Sequence, residues 1–150
     1  MAEVTLNNEA IINSLRQLKN SLGDLRRPFE EIGEELVDST KNRFVTHTAP
    51  DGSQWDSNSP VTIFLKGADN PLTGETLSLQ RQITSQIDGD ELQIGSTLLY
   101  AAIQQFGGTK AEFPHLWGDI PARPFLGLSS EDEIIVLEIL SSYIENSIQN

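Results

Sequence analysis

The chain has 150 residues, 37% of them hydrophobic, with 22 Asp and Glu against 10 Lys and Arg, a net charge of -12 and no cysteine. That length suits one domain with one sizeable core, and a cysteine-free chain excludes disulfides, thiol nucleophiles and Cys-ligated metal centres. The acidity argues against a grip on nucleic acid or anionic lipid, either of which needs clustered Lys and Arg.

The charge excess grows along the chain, from -2 over residues 1–50 through -4 over 51–110 to -6 over 111–150. The opening MAEVTLNNEA lacks the apolar run of a signal peptide. The longest unbroken apolar stretch, residues 98–103, is far short of a membrane span. A soluble protein made in the cytoplasm, with no membrane partner, is expected.

Ile11, Leu15, Leu18 and Leu22 recur at steps of four, three and four, which predicts an amphipathic helix ending near Gly23. A second helix follows, with Leu25, Phe29, Ile32 and Leu36 on one face and Glu30, Glu31, Glu34 and Glu35 on the other. Pro28 fits its first turn, where a missing N–H costs little, and Lys41 and Arg43 fall in its last turn, where cations suit the helix dipole.

Residues 48–60 gather Pro, Gly, Asp, Asn and Ser around Trp55, which is loop chemistry. Ser59 and Pro60 then read as cap and first-turn residues of a short helix, VTIFLK, and GADNPLTG (67–74) returns to turns. Residues 82–87 and 91–95 alternate polar and apolar around Asp88-Gly89, a hairpin signal. Residues 98–106 predict another helix, stopped by Gly107-Gly108.

The chain closes on a helix of about 18 residues by its apolar period. Ser129 and Ser130 are its cap candidates, and Glu131, Asp132 and Glu133 fill its first turn. It carries two apolar sectors, one of Ile134, Leu137, Leu140, Ile144 and Ile148, the other of Ile135, Val136, Ile139 and Tyr143. Either the helix is wedged between the sheet and the first two helices, or one sector awaits a second subunit. The elements sum to an α+β fold in a single domain over residues 1–150: an N-terminal helical pair, a small antiparallel hairpin, short middle helices and a C-terminal helix.

Candidate chemistry is thin. His47 and His115 lie in different loops without a partner at metal-ligand spacing. Asp51, Asp56, Asp88 and Asp90 do not fit a calcium loop and read as turn residues. No serine sits in a nucleophile elbow, Phe106-Gly107-Gly108 lacks the rest of a phosphate loop, and Glu34 with Asp38 sits on a solvated helix face. No enzyme activity, metal or cofactor is therefore expected. Trp55 and Trp117 occupy loops, where a large aromatic either pins the loop to the core or anchors a contact.

PDGSQWDSNSP (50–60), TIFLK (62–66), LQIGS (92–96), YAAIQQFGGT (100–109) and IPARPFLGLSSEDE (120–133) stand in an order and spacing that resemble the phage virion morphogenesis family. That family includes tail-completion proteins of Mu-like and related contractile-tailed phages. The resemblance spans roughly residues 30–140, and its most specific blocks contain Tyr100, Gln105, Phe106, Gly107 and Gly108, then Arg123, Pro124 and Phe125. The chain departs from the family at Gln104, where histidine is usual, and at Thr73-Gly74-Glu75-Thr76-Leu77, a stretched form of Thr-Gly-x-Leu.

The resemblance implies a structural virion protein that completes the tail or joins it to the head. It would act as a ring of identical subunits against tail-tube or neck proteins, assembled in the bacterial host cytoplasm. DNA could pass through such a ring without specific binding. A head-side connector is the alternative within the class, and a monomeric binding module the alternative outside it. Within this frame Arg123, held extended between two prolines, either pairs with a carboxylate of its own subunit or reaches a neighbour, and Phe125 enters the core.

Overall fold

The computed structural model describes residues 8–57, 78–96, 98, 101–114 and 119–149. The described chain is α+β: α1 (Glu9–Leu22), α2 (Arg26–Thr46), the single turn α3 (Ser78–Arg81), strands β1 (Thr84–Asp88) and β2 (Glu91–Gly95), α4 (Ala101–Phe106) and α5 (Ser130–Gln149).

α1 begins where Asn8 caps it, its Oδ1 accepting from the Ile11 amide, and ends at Gly23, whose φ of 73° lets its N–H reach the Lys19 carbonyl. An L-residue with a Cβ pays for that left-handed geometry, which is why glycine stands there. α2 opens with Pro28 in its first turn and runs to His47, a left-handed C-cap with φ 59°. Mid-helix Gly33, which costs about 1 kcal/mol against alanine, has its reason in the hairpin. A Cβ there would lie 2.9 Å from the Ser85 hydroxyl oxygen.

The strands pair antiparallel with Asp88 opposite Glu91 and Thr84 opposite Gly95. The two-residue turn is thus Gly89-Asp90, one position later than the sequence signal, with Gly89 at φ 58°. Ile83, predicted inside β1, precedes it and is buried. The hairpin packs on α2 and is tied to α1 by an exposed Lys19–Asp90 ion pair, a contact worth little on its own.

Two apolar clusters share α2 between them. Its N-terminal half sends Leu25, Phe29 and Ile32 into a helical cluster with Ile11 and Leu18 of α1 and Val136, Ile139 and Leu140 of α5. Its C-terminal half sends Phe44 into a second cluster with Trp55, Leu79, Ile83, Ala101 and Phe125. Each fully buried side chain of this size contributes about 1.5–3 kcal/mol. A recess of about 120 Å³ lies where the clusters meet, lined by Leu36, Leu92, Ile94 and Leu126 among others.

α5 corrects the expectation of a wedge under the sheet. Its partners are α1 and α2, and it runs antiparallel to α2, with Asp132 at Arg43 at one end and Tyr143 beside Glu31 at the other. The buried line is Val136, Ile139 and Leu140, drawn from both apolar sectors, while Ile134 and Ile135 face solvent. The helix VTIFLK, the turns at 67–74, Tyr100, His115 and Trp117 lie outside the described residues.

Candidate functional site

The two blocks that carry the resemblance fold onto each other. α4 ends at Phe106, and Gly107, at φ 73°, turns the chain so closely against the opposing segment that a Cβ would sit 2.7 Å from the Ala122 nitrogen and 2.8 Å from the Ile120 carbonyl oxygen. Only glycine permits that approach. Gly108 then exchanges main-chain hydrogen bonds with Ile120, at 2.9 and 2.7 Å, in an isolated antiparallel bridge.

Beyond the bridge residues 121–125 run on in neither helix nor strand. Pro121 and Pro124 restrict the preceding residues to extended backbone. Side chains supply the ladder instead. Gln105, buried, accepts at Oε1 from the amides of Phe125 and Leu126, both at 3.0 Å, and donates from Nε2 to the Leu126 carbonyl at 3.3 Å. The Arg123 amide donates to the Gln104 carbonyl. Trp55 donates its indole N–H to the Pro124 carbonyl at 2.7 Å, and Arg43 donates to the Phe125 carbonyl at 2.7 Å. Main-chain groups buried away from water need such partners.

Trp55 is brought here by the loop after α2. Ala49 accepts from Gly52 and Trp55 donates its amide to the His47 carbonyl, closing a tight turn in which Asp51 accepts from the amide and hydroxyl of Ser53. Those bonds hold the exposed Asp51 carboxyl below its ordinary value. The indole is buried, lies edge-on to Phe44 with centroids 5.5 Å apart, and has the His47 ring stacked beside it. Phe125 is fully buried, 5.5 Å from the Phe44 centroid.

Arg123 is buried as well, and its Nε and Nη2 donate to the carbonyls of Asp56 and Ser57 at 2.9 and 3.0 Å. These bonds tie the segment to the loop that carries Trp55, within one subunit. Of the candidates, Trp55, Gln105, Gly107, Gly108, Arg123, Pro124 and Phe125 come together in this joint. Phe106 belongs to the same stretch, yet its ring is 57% exposed.

A buried carboxylate–arginine pair was missed at the sequence level. Arg43, read there as a cation placed for the helix dipole, is buried and paired with Asp132, read as a first-turn acid of α5. Asp132 also completes a capping box, accepting from the Ser129 amide while its own amide donates to the Ser129 hydroxyl, and it accepts from the Ser39 hydroxyl. Burial lowers the Arg43 pKa and the charge and hydrogen bond of Asp132 oppose that. Two signals were present. Arg43 continues the inward-facing line Phe29, Ile32, Leu36, Thr40, of which Leu36 is half-buried, and Ser129-x-x-Asp132 has capping-box spacing.

The arrangement defines a structural joint: Trp55, Gln105 and Arg123 hold main chain, and Arg43 and Asp132 pair beneath it. The chain belongs to the phage virion morphogenesis family, whose sequence profile matches residues 6–145. It is similar to "Putative capsid assembly protein G" of Escherichia phage Mu, 30% identical over an alignment of 119 positions, with 76% of each chain covered. It is also similar to Mu-like prophage FluMu G protein 2 of Haemophilus influenzae, 39% identical over 71 residues, 47% of this chain and 50% of that protein. No solved structure matches. The family gives the chain a part in building a phage virion, and among the described residues no helix is long and apolar enough to cross a membrane.

Proposed function

We propose that the protein is a structural subunit, not an enzyme, that completes the phage tail or joins it to the head as a ring of identical copies. The observation that carries this reading is the joint itself. The blocks most specific to the family are used to lock Gln105, Arg123 and Trp55 onto main chain, which is what a rigid part requires and leaves those polar groups engaged. Exposed Phe106, Phe113, Ile134 and Ile135 supply apolar surface for contacts with copies or with tail-tube and neck proteins. A net charge of -12 suits a lumen through which DNA slides without sticking.

The head-side alternative draws support from the Mu relative, which is named for capsid assembly. Deleting the gene from a phage that carries it and imaging the lysate by electron microscopy tests both. Finished heads beside separate tails, joined again when the purified protein is added, is the expected result. Malformed heads would favour the head-side reading, and normal virions would overturn both.

A further inference from the structure

The hairpin leaves one edge unused. Asp88 and Glu91 flank its turn and face each other, so by the antiparallel alternation Thr84, Gln86 and Asp88 spend their main-chain groups on β2, while those of Ser85 and Ile87 point away from it. Among the described residues nothing bonds to that outer edge. It is also the wet side of the hairpin. Thr84, Ser85, Gln86 and Asp88 are exposed, whereas Leu92 and Ile94 of β2 line the recess against α2 and residues 126–128. A row of free main-chain donors and acceptors templates a further strand, and proteins guard such edges with Lys, Pro or a bulge. None of these stands in β1, whose register runs unbroken from Thr84 to Asp88.

The turn adds a charge signature. Asp88 lies directly opposite Glu91, a placement in which like charges repel. Among the described residues neither is in an ion pair, and Lys19 is taken by Asp90. Arg81, which ends α3 just before β1, is exposed and likewise in no ion pair among the described residues.

We infer that β1 pairs edge to edge with β1 of a second copy, antiparallel about a two-fold axis at Gln86. The outward groups allow one register in which the whole strand overlaps. Ser85 then exchanges main-chain hydrogen bonds with Ile87 of the other copy, Gln86 faces its own counterpart, and Thr84 faces Asp88, so that no acid meets acid along the strands. The chain entering β1 runs beside the other copy's turn, which brings Arg81 to Asp88 and Glu91 there, twice by symmetry. That charge complementarity is what names a second copy as the occupant. A two-fold contact closes on itself, whereas a ring needs head-to-tail contacts; the pairing therefore goes beyond the ring reading and does not depend on it.

Sedimentation velocity of the full chain over a concentration series tests it, beside Arg81→Glu, the exchange of Arg81→Glu with Glu91→Arg, and Ser85→Pro. The unaltered chain should form dimers. Arg81→Glu should raise the dissociation constant about 10-fold or more with circular dichroism unchanged, and the exchange variant should return to within about threefold of the unaltered chain. Ser85→Pro removes an outward donor but no bond of the β1–β2 ladder and should be monomeric; if it unfolds, the charge exchange decides. A monomeric unaltered chain, dimers that Arg81→Glu leaves intact, or an exchange variant as weak as Arg81→Glu would each overturn the inference. Rings that form whatever stands at position 81 would sink the edge pairing alone and leave the reading of function in place.

Discussion

Arg43 and Asp132 stand 89 residues apart in the chain and pair at 2.5 Å, with their side chains 6% and 4% exposed. The pair sits where α2, the start of α5 and the extended segment converge. Its remaining capacity is satisfied by the Ser39 hydroxyl, the Ser129 amide and the Phe125 carbonyl. Removing one member would leave the other charged and buried. Asp132→Ala and Arg43→Met are each expected to cost about 3–5 kcal/mol. The double variant should cost less than the sum, by roughly 0.5–3 kcal/mol, because the two share one interaction. Urea unfolding of the four proteins checks this, and strict additivity would mean that the groups act independently.

Gly107 and Gly23 share a φ of 73°, but their surroundings differ. A Cβ at Gly107 meets main-chain atoms of Ile120 and Ala122 under 3 Å, whereas one at Gly23 meets nothing within 4 Å. Gly23→Ala should therefore cost about 1–2 kcal/mol for the left-handed backbone alone. Gly107→Ala carries the same strain and must also push two strand-like segments apart, so it should cost clearly more and lower the melting temperature further. Equal losses in a parallel thermal melt would show that the close approach at Gly107 is not enforced.

How far the sequence could be read follows from the range of the forces involved. α1, α2, α5 and the hairpin are legible because their signals are local: an apolar period, the Ser129 cap, Gly23 as a stop, Gly89 in the turn. The resemblance pointed to Gln105 and Arg123 but not to what they do, since the carbonyls they meet belong to residues 21 and 66 to 67 positions away. Arg43 was placed correctly in the last turn of α2, but its pairing was missed for the same reason. A cation in the last turn of a helix has a sufficient local explanation, and its partner lies on another helix. α5 was harder still, because apolar residues surround most of its axis and only packing on α1 and α2 decides which of them are covered.

Trp55 is buried at 6% exposure and bonded through its indole to the Pro124 carbonyl. Trp55→Ala should lower stability by about 3–5 kcal/mol, the range for a large buried aromatic. Trp55→Phe keeps a ring against Phe44 but leaves the Pro124 carbonyl without its donor, at about 1–3 kcal/mol. Chemical denaturation of both separates packing from the hydrogen bond. A stable Trp55→Ala that fails only in particle assembly would instead make the indole a contact anchor.

Arg123 donates in two directions from one planar group, Nε to Asp56 and Nη2 to Ser57, while its amide is held by Gln104. Lysine offers a single ammonium on a flexible stem and cannot match that fork. Arg123→Lys should therefore recover only part of what Arg123→Ala loses. The alanine variant removes two hydrogen bonds to the Asp56 and Ser57 carbonyls, each worth about 0.5–1.5 kcal/mol net, and releases the loop that positions Trp55. The expected record is a lower melting temperature together with a Trp fluorescence shift to longer wavelength, because the indole gains water. If Arg123→Ala keeps the melting temperature and emission of the unaltered chain yet abolishes association or phage completion, the arginine serves a neighbouring subunit, and its bonds to the 56–57 carbonyls contribute little to the fold.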